Sequence, residues 1–394
     1  MSRFRIFFKR SALLAIMLSV TGCVSYPTFP SATEQIPALI SGELAFGAEI
    51  EPAVSADLLK MSDEMHAFIA ARKILDSTIP YTRFRRLMAG LVDGGYFSNH
   101  YRADGTYSAQ QTFASAEGNC LGYTNMFIAL ARAAGLNASY QLIENYPAWD
   151  VNAGQLVRNN HINVIVDEIG LAGRYTAELV VDFNIVQPDA DFARPTLVSD
   201  AFAEALYHIN LAIDELNVGD LEGSFAQLKR AALSDPENKF VWNNLGVFYS
   251  RLGKSEVAQQ AYEVALSIDN RDKSALAGMV VSLTAQGQLA EAAEFERRVY
   301  WYQRRNPYYH YARANLAFEK EDFDEALVAI EQAIDLRGND ARFFAFRAAT
   351  AGELGDDRLM RRSETLAAKY QKSNSPAPEK VNVSYYGKLE VNGS

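Results

Sequence analysis

Gly118-Asn119-Cys120-Leu121-Gly122-Tyr123-Thr124-Asn125-Met126-Phe127 decides how the first half of this chain folds. A Gly-Asn pair interrupts the chain, a cysteine follows directly, and an apolar run continues to Gly135. Cys120, Tyr123, Phe127, Ala131 and Ala134 recur at helical spacing, so one helix stripe carries the thiol together with core contacts. Gly135 falls where such a helix takes its C-terminal cap. The thiol then sits in a first helical turn, where unpaired N–H groups and the positive end of the helix dipole favour a thiolate.

Around that helix the pattern changes character. Upstream, Leu58 to Ile74 and Arg83 to Leu91 show helical spacing, and Tyr96 to Ser108 reads as turns and a loop. Downstream, Ala138 to Ile143 alternates as a strand, and residues 144–158 read as a polar loop holding Trp149. His161 to Asp167 is β-branched and is answered by Ala177 to Asp182. Two such runs joined by a short connection predict an antiparallel hairpin. His161 begins the first strand and Asp182 ends the second, so both come to the same end.

Three pieces now carry a resemblance: Gly118-Asn119-Cys120 with Ala129 to Leu136, then Asn160-His161-Ile162-Asn163, then Val181-Asp182-Phe183-Asn184. Together they resemble the transglutaminase-like branch of the papain-like cysteine hydrolases, over roughly residues 110–185. The resemblance implies an α+β domain with Cys120 as nucleophile, His161 as base and acid, and Asp182 as the carboxylate that orients the imidazole. It implies an oxyanion met by the Cys120 N–H and a side-chain donor. Gln110 and Gln111 stand for that donor, because papain-like enzymes place a glutamine before the nucleophile. Trp149 and Asn160 stand for the cleft. The other histidines fit this chemistry badly: His66 and His100 precede the cysteine, and His208 and His310 fall in the second half.

That second half has a fixed period. Gly219, Gly253, Gly287, Glu321 and Gly355 are 34 residues apart, as are Ala212, Gly246, Val280, Ala314 and Ala348. The period resembles tetratricopeptide repeats, best in the unit with Trp242, Leu245, Gly246, Tyr249, Ala258, Tyr262 and Ala265. Five units start near Ala205, Lys239, Lys273, Pro307 and Ala341. An all-α solenoid of this kind leaves a concave groove that takes a protein or peptide partner. Asn210 and Asn244 share one first-helix position and are candidates to hold a peptide backbone. The aromatics Tyr300, Trp301, Tyr302, Tyr308, Tyr309 and Tyr311 read as packing between repeats.

The ends set the compartment. Arg3, Arg5, Lys9 and Arg10 precede a short apolar run from Ser11 to Val20. Val20-Thr21-Gly22-Cys23 then resembles a bacterial lipobox, which implies cleavage before Cys23 and its lipidation. The resemblance, with no Asp after Cys23, implies the outer membrane, facing the periplasm. The leader holds four basic and no acidic residues, so its loss takes the formal net charge from −10 to −14. Such an acidic chain has no basic surface for nucleic acid. Of two cysteines, lipidation consumes Cys23 and leaves Cys120 as a lone thiol.

The expected organisation is a signal peptide over 1–22, a lipidated cysteine and tether over 23–45, and a transglutaminase-like domain over 46–200. A repeat array over 203–372 and a disordered tail over 373–394 complete it, with Val381 to Val391 able to pair as a strand on a partner. Neither a nucleotide loop nor a metal-spaced Cys/His cluster is present, so no cofactor or metal is expected. The expected activity is hydrolysis or transfer of amide bonds through a thioester on Cys120. The alternative is a non-catalytic repeat scaffold whose cysteine domain is a binding relic.

Overall fold

The computed structural model describes residues 35–97, 101–102, 105–144, 149–152, 155–158, 161–171, 175–183, 194–373 and 384–391. The signal peptide and Cys23 lie outside them. Two bodies are described, an α+β domain and a helical array.

The first body is centred on α6 (Cys120–Ala133). Asn119, extended at its φ and ψ, caps the helix by accepting the Gly122 N–H on its side-chain oxygen at 3.0 Å. At the other end Gly135 takes a left-handed φ of 71°. Every residue from Leu121 to Ala131 is buried, so α6 is enclosed all round and not along one stripe only. Its neighbours are α4 (Pro80–Asp93), α5 (Ala109–Ser115) and the strands β1 (Asn137–Glu144) and β4 (His161–Leu171). The expected helix over 58–74 shortens to α3 (Asp63–Ala71) with a single 3₁₀ turn at Ile74–Asp76.

The sheet is antiparallel, with order β6-β1-β4-β5-β7, where β5 is Tyr175–Asp182, β6 is Arg194–Val198 and β7 is Ser384–Val391. In register, Ile143 faces His161 and Val164 faces Val181, which carries His161 and Asp182 to one end as the hairpin reading requires. A register shift between Val166 and Ile169 marks a bulge in β4. The expected loop over 144–158 contains a small hairpin of β2 (Trp149–Asn152) and β3 (Gln155–Arg158).

Two expected boundaries are corrected. Residues 384–391 form a strand of this chain's own sheet, paired along the whole of β5, and are not part of a disordered tail or a strand for a partner. The tether does not extend to residue 45, because Ile36–Ser41 (α1) and Glu43–Phe46 (α2) are folded onto the repeats. Leu39 is fully buried there, and its carbonyl accepts the Tyr249 hydroxyl at 2.8 Å. Lys229 and Arg230 bind the carbonyls of Ile50 and Ala53 at 2.7 and 2.6 Å. Satisfying these backbone groups and burying Leu39 holds the segment in place.

The array comprises five helix pairs. Their first helices are α7 (Asp200–Val218), α9 (Lys239–Arg251), α11 (Lys273–Ala285), α13 (Pro307–Glu319) and α15 (Ala341–Glu353). The second helices are α8 (Leu221–Ser234), α10 (Ser255–Ile268), α12 (Leu289–Gln303), α14 (Phe323–Leu336) and α16 (Asp357–Ser373). Small residues govern their approach: a Cβ on Gly246 or Gly278 would stand 2.4 or 2.3 Å from the Tyr262 ring, which packs between α9 and α11. Among the expected aromatics, Tyr308 is buried while Tyr300 and Trp301 are exposed, with the Arg304 guanidinium 3.8 Å over the Trp301 ring. That part of the cluster is surface, not packing between repeats. Among the described residues no helix is long and apolar enough to cross a membrane.

The two bodies are joined by apolar packing of Ala203, Leu206 and Tyr207 of α7 on the core of the first, and by charge. Arg132, in the last turn of α6, grips Asp200 of α7 with two bonds of 2.6 and 2.9 Å and the Ala138 carbonyl with a third of 2.9 Å. Lys239, at the start of α9, reaches Glu144 at the end of β1 and Asp269 of the array, at 3.0 and 2.7 Å. Glu144 adjoins the Ile143–His161 pair, so this contact holds the functional end of the sheet against the second repeat.

Candidate active site

Cys120 is the first residue of α6 and half-buried. Arg102 and Gly105 hold this helix start: Arg102 donates its N–H to the Gly118 carbonyl at 3.0 Å, and Asn119 donates its own to the Gly105 carbonyl at 2.9 Å. The Asn119 carboxamide is used at both ends, because its nitrogen also donates to the Thr106 hydroxyl at 2.9 Å. The cap is therefore bolted to a second segment, which fixes where the thiol stands. Among the described residues the N–H groups of Cys120 and Leu121 have no acceptor, as first-turn groups of a helix.

His161 and Asp182 lie almost fully buried, with 3 % and 5 % of their side chains exposed. Nε2 of His161 is 2.7 Å from Oδ1 of Asp182. A carboxylate only accepts, so Nε2 carries the proton in that bond and Nδ1 is the nitrogen left for the hydrogen bond with Cys120. Burial opposes charge on the ring. The bonds to Asp182 and Cys120, and the negative charge they bring, outweigh it and hold the imidazole well above its ordinary range. The structure thus brings Cys120, His161 and Asp182 into one connected chain.

Other expected residues divide. Gln111 is a helix cap: its Oε1 accepts from the Ser108 N–H and hydroxyl, each at 2.9 Å, closing a capping box on α5. Its place three residues after a serine carries that signal, and the capping box engages its Oε1 alone. Gln110 is half-buried in the first turn of α5, which packs on α6. Trp149 opens β2, and its side chain and the whole of Asn160 lie outside the described residues. His66, His208 and His310 stand on other elements: α3, α7 and α13.

Sequence reasoning missed the polar residues beneath the triad. Asn125 on α6 donates to the Tyr107 carbonyl at 3.0 Å and accepts the Tyr140 hydroxyl at 2.7 Å, tying α6 to β1 and to the chain just before α5. Asn163, two residues after His161 on the same strand face, donates to Oδ2 of Asp182 at 3.1 Å. Its period-two spacing from His161 is the signal that was available.

Comparison with known proteins agrees with this layout. Residues 69–164 match the transglutaminase-like superfamily, and residues 241–272 and 307–340 match tetratricopeptide repeats. This chain carries a transglutaminase-like core and a tetratricopeptide array. The transglutaminase-like match includes Cys120 and His161 and stops short of Asp182. A search of curated proteins finds no match. Among solved structures, MamA of Desulfovibrio magneticus RS-1 is similar at 16% identity over 45% of this chain and 98% of its own, with a TM-score of 0.27. YrrB, described as a tetratricopeptide protein with an unusual peptide-binding site, is similar at 17% identity over 43% and 87%, with a TM-score of 0.25. Pseudomonas aeruginosa pilF is similar at 19% identity over 44% and 78%, with a TM-score of 0.26. These likenesses do not bear on what the chain does.

Proposed function

We propose that this chain is a cysteine amidase or peptidase of transglutaminase-like chemistry, lipid-anchored at Cys23 in the bacterial outer membrane and facing the periplasm. The single observation behind the chemistry is the bond from His161 Nε2 to Asp182, which leaves Nδ1 for Cys120 at the N-terminus of α6. The anchor is supported by the basic leader, the short apolar run and Val20-Thr21-Gly22-Cys23.

In this reading the Cys120 thiolate attacks an amide carbonyl, and the oxyanion that forms meets the Cys120 N–H. His161 gives its Nδ1 proton to the departing amine, which leaves as the thioester forms. Water then gives a proton to His161 and adds to the thioester, releasing the acid and restoring the thiolate. An amine in place of water would give transfer instead. The tetratricopeptide array, joined to the functional end of the sheet through Lys239 and Glu144, presents the protein or peptide that carries the amide.

The test is the rate of Cys120 alkylation against pH, followed by mass spectrometry on the full chain in detergent, beside His161→Ala. Fast labelling at mildly acidic pH that disappears in the variant is expected. Labelling that rises only near an ordinary thiol pKa of about 8.5, alike in both, would leave the array as the functional part and the cysteine domain as a relic.

A further inference from the structure

Asn163 is fully buried, on β4 between His161 and the centre of the sheet. Its carboxamide nitrogen donates to Oδ2 of Asp182 while the other carboxylate oxygen holds His161. The reverse orientation of the amide would set two acceptors face to face, so this one is chosen by the network. Its own oxygen is buried with no hydrogen-bond partner among the described residues. An apolar side chain of the same size would avoid that standing cost, so packing alone does not account for an asparagine here.

The electrostatics say what it supplies. With Cys120 as thiolate and His161 as imidazolium, these two groups and the Asp182 carboxylate together carry one net negative charge. Among the described residues His161 and Asn163 each donate to one oxygen of that carboxylate, and Asn163 keeps its proton whatever the state of the histidine. We infer that Asn163 is a positioning residue, which keeps Asp182 ionised and turned toward His161 and so extends the thiolate–imidazolium pair to lower pH. The inference rests on the triad reading of the proposed function. It acts through Asp182 and touches neither the thiol nor the substrate.

Asn163→Leu in the full chain removes the donor with a side chain of the same branching and heavy-atom count. Without it Asp182 takes up a proton more readily, and the imidazolium loses its partner on the acid side. The acid limb of the Cys120 alkylation profile is expected to move up by about one pH unit, which is about tenfold in rate at a fixed pH on that limb. The alkaline plateau should stay within about twofold, and thermal stability should fall at pH values above the acid limb, where the buried carboxylate has lost a donor, and recover as Asp182 is protonated. A purely structural role gives a loss of stability that is the same at every pH, with an unmoved limb, and that outcome overturns the inference. If the leucine variant misfolds, Asn163→Ser removes the same reach with a smaller polar group, and the same shift is expected.

A second readout separates this inference from the reading beneath it. If the wild-type chain shows no His161-dependent labelling, the triad reading has failed as chemistry. The carboxyl group of Asp182 is then titrated by NMR in the wild type and in Asn163→Leu. A higher pKa in the variant upholds the link from Asn163 to Asp182, and coincident titrations overturn it.

Discussion

At the scale of single residues, the state of His161 is set by what it touches on both nitrogens. Burial alone would discharge the ring, and the Asp182 and Cys120 contacts reverse that, so its folded pKa lies above its unfolded value of about 6.5. A group raised in this way contributes stability that is fully present below the unfolded pKa and is lost as the pH rises through the folded value. The difference in urea midpoint between the wild type and His161→Gln should therefore be largest below about pH 6.5 and shrink steadily as the solution is made alkaline. A difference independent of pH would mean that the ring is neutral in the folded chain. The three residues concerned were legible because each needs a particular residue type in a particular setting, a cysteine opening a helix and a histidine and an aspartate at one end of a hairpin. Asn163 was not, since its partner is fixed only by the register that sets Val164 against Val181.

At the scale of elements, the repeats show which positions tolerate change. Four turns between paired helices use a glycine with φ from 71° to 85°, and at the fifth Glu321 adopts the same left-handed conformation with φ 59°. Non-glycine residues pay for that conformation by about 1–2 kcal/mol, part of which a glycine returns as chain entropy in the unfolded state. Glu321 is exposed, so Glu321→Gly should stabilise the array by up to about 1 kcal/mol in thermal or urea melts. Gly278→Ala is the opposite case, because the new Cβ would meet the fully enclosed Tyr262 ring and force it to move. Overpacking of that kind costs about 1–3 kcal/mol. An array that accepts both changes equally would not be held by this close approach. The 34-residue period made these positions readable from sequence, whereas α1 and α2, at six and four residues, are too short to show a period. Ile36, Leu39 and Leu44 looked like a linker until the surface they cover was visible.

At the scale of the molecule, the chain leaves the sheet by one edge and returns to the other. Strand β6 runs straight into α7, and after the array β7 comes back to pair with β5, so the two edge strands flank the repeats in sequence. The sequence marks Val381 to Val391 as able to pair as a strand but not with which edge, because an edge strand is held by main-chain bonds more than by an apolar face. Along β5 successive N–H groups point alternately to β4 and to β7, and Ser384 lies opposite Asp182 itself. Deleting residues 374–394 should therefore expose every second amide of β5 to hydrogen exchange, while the amides bonded to β4 stay protected. The array, whose helices pack on one another, should melt unchanged. The carboxylate end of β5 would lose its outer neighbour and gain water, which favours the ionised carboxylate, so the acid limb of Cys120 labelling should not move up as it does for Asn163→Leu. Uniform loss of protection across β1, β4 and β5 would mean instead that the returning strand is required for the whole domain to fold, and unchanged protection in β5 would mean that the edge is open in solution.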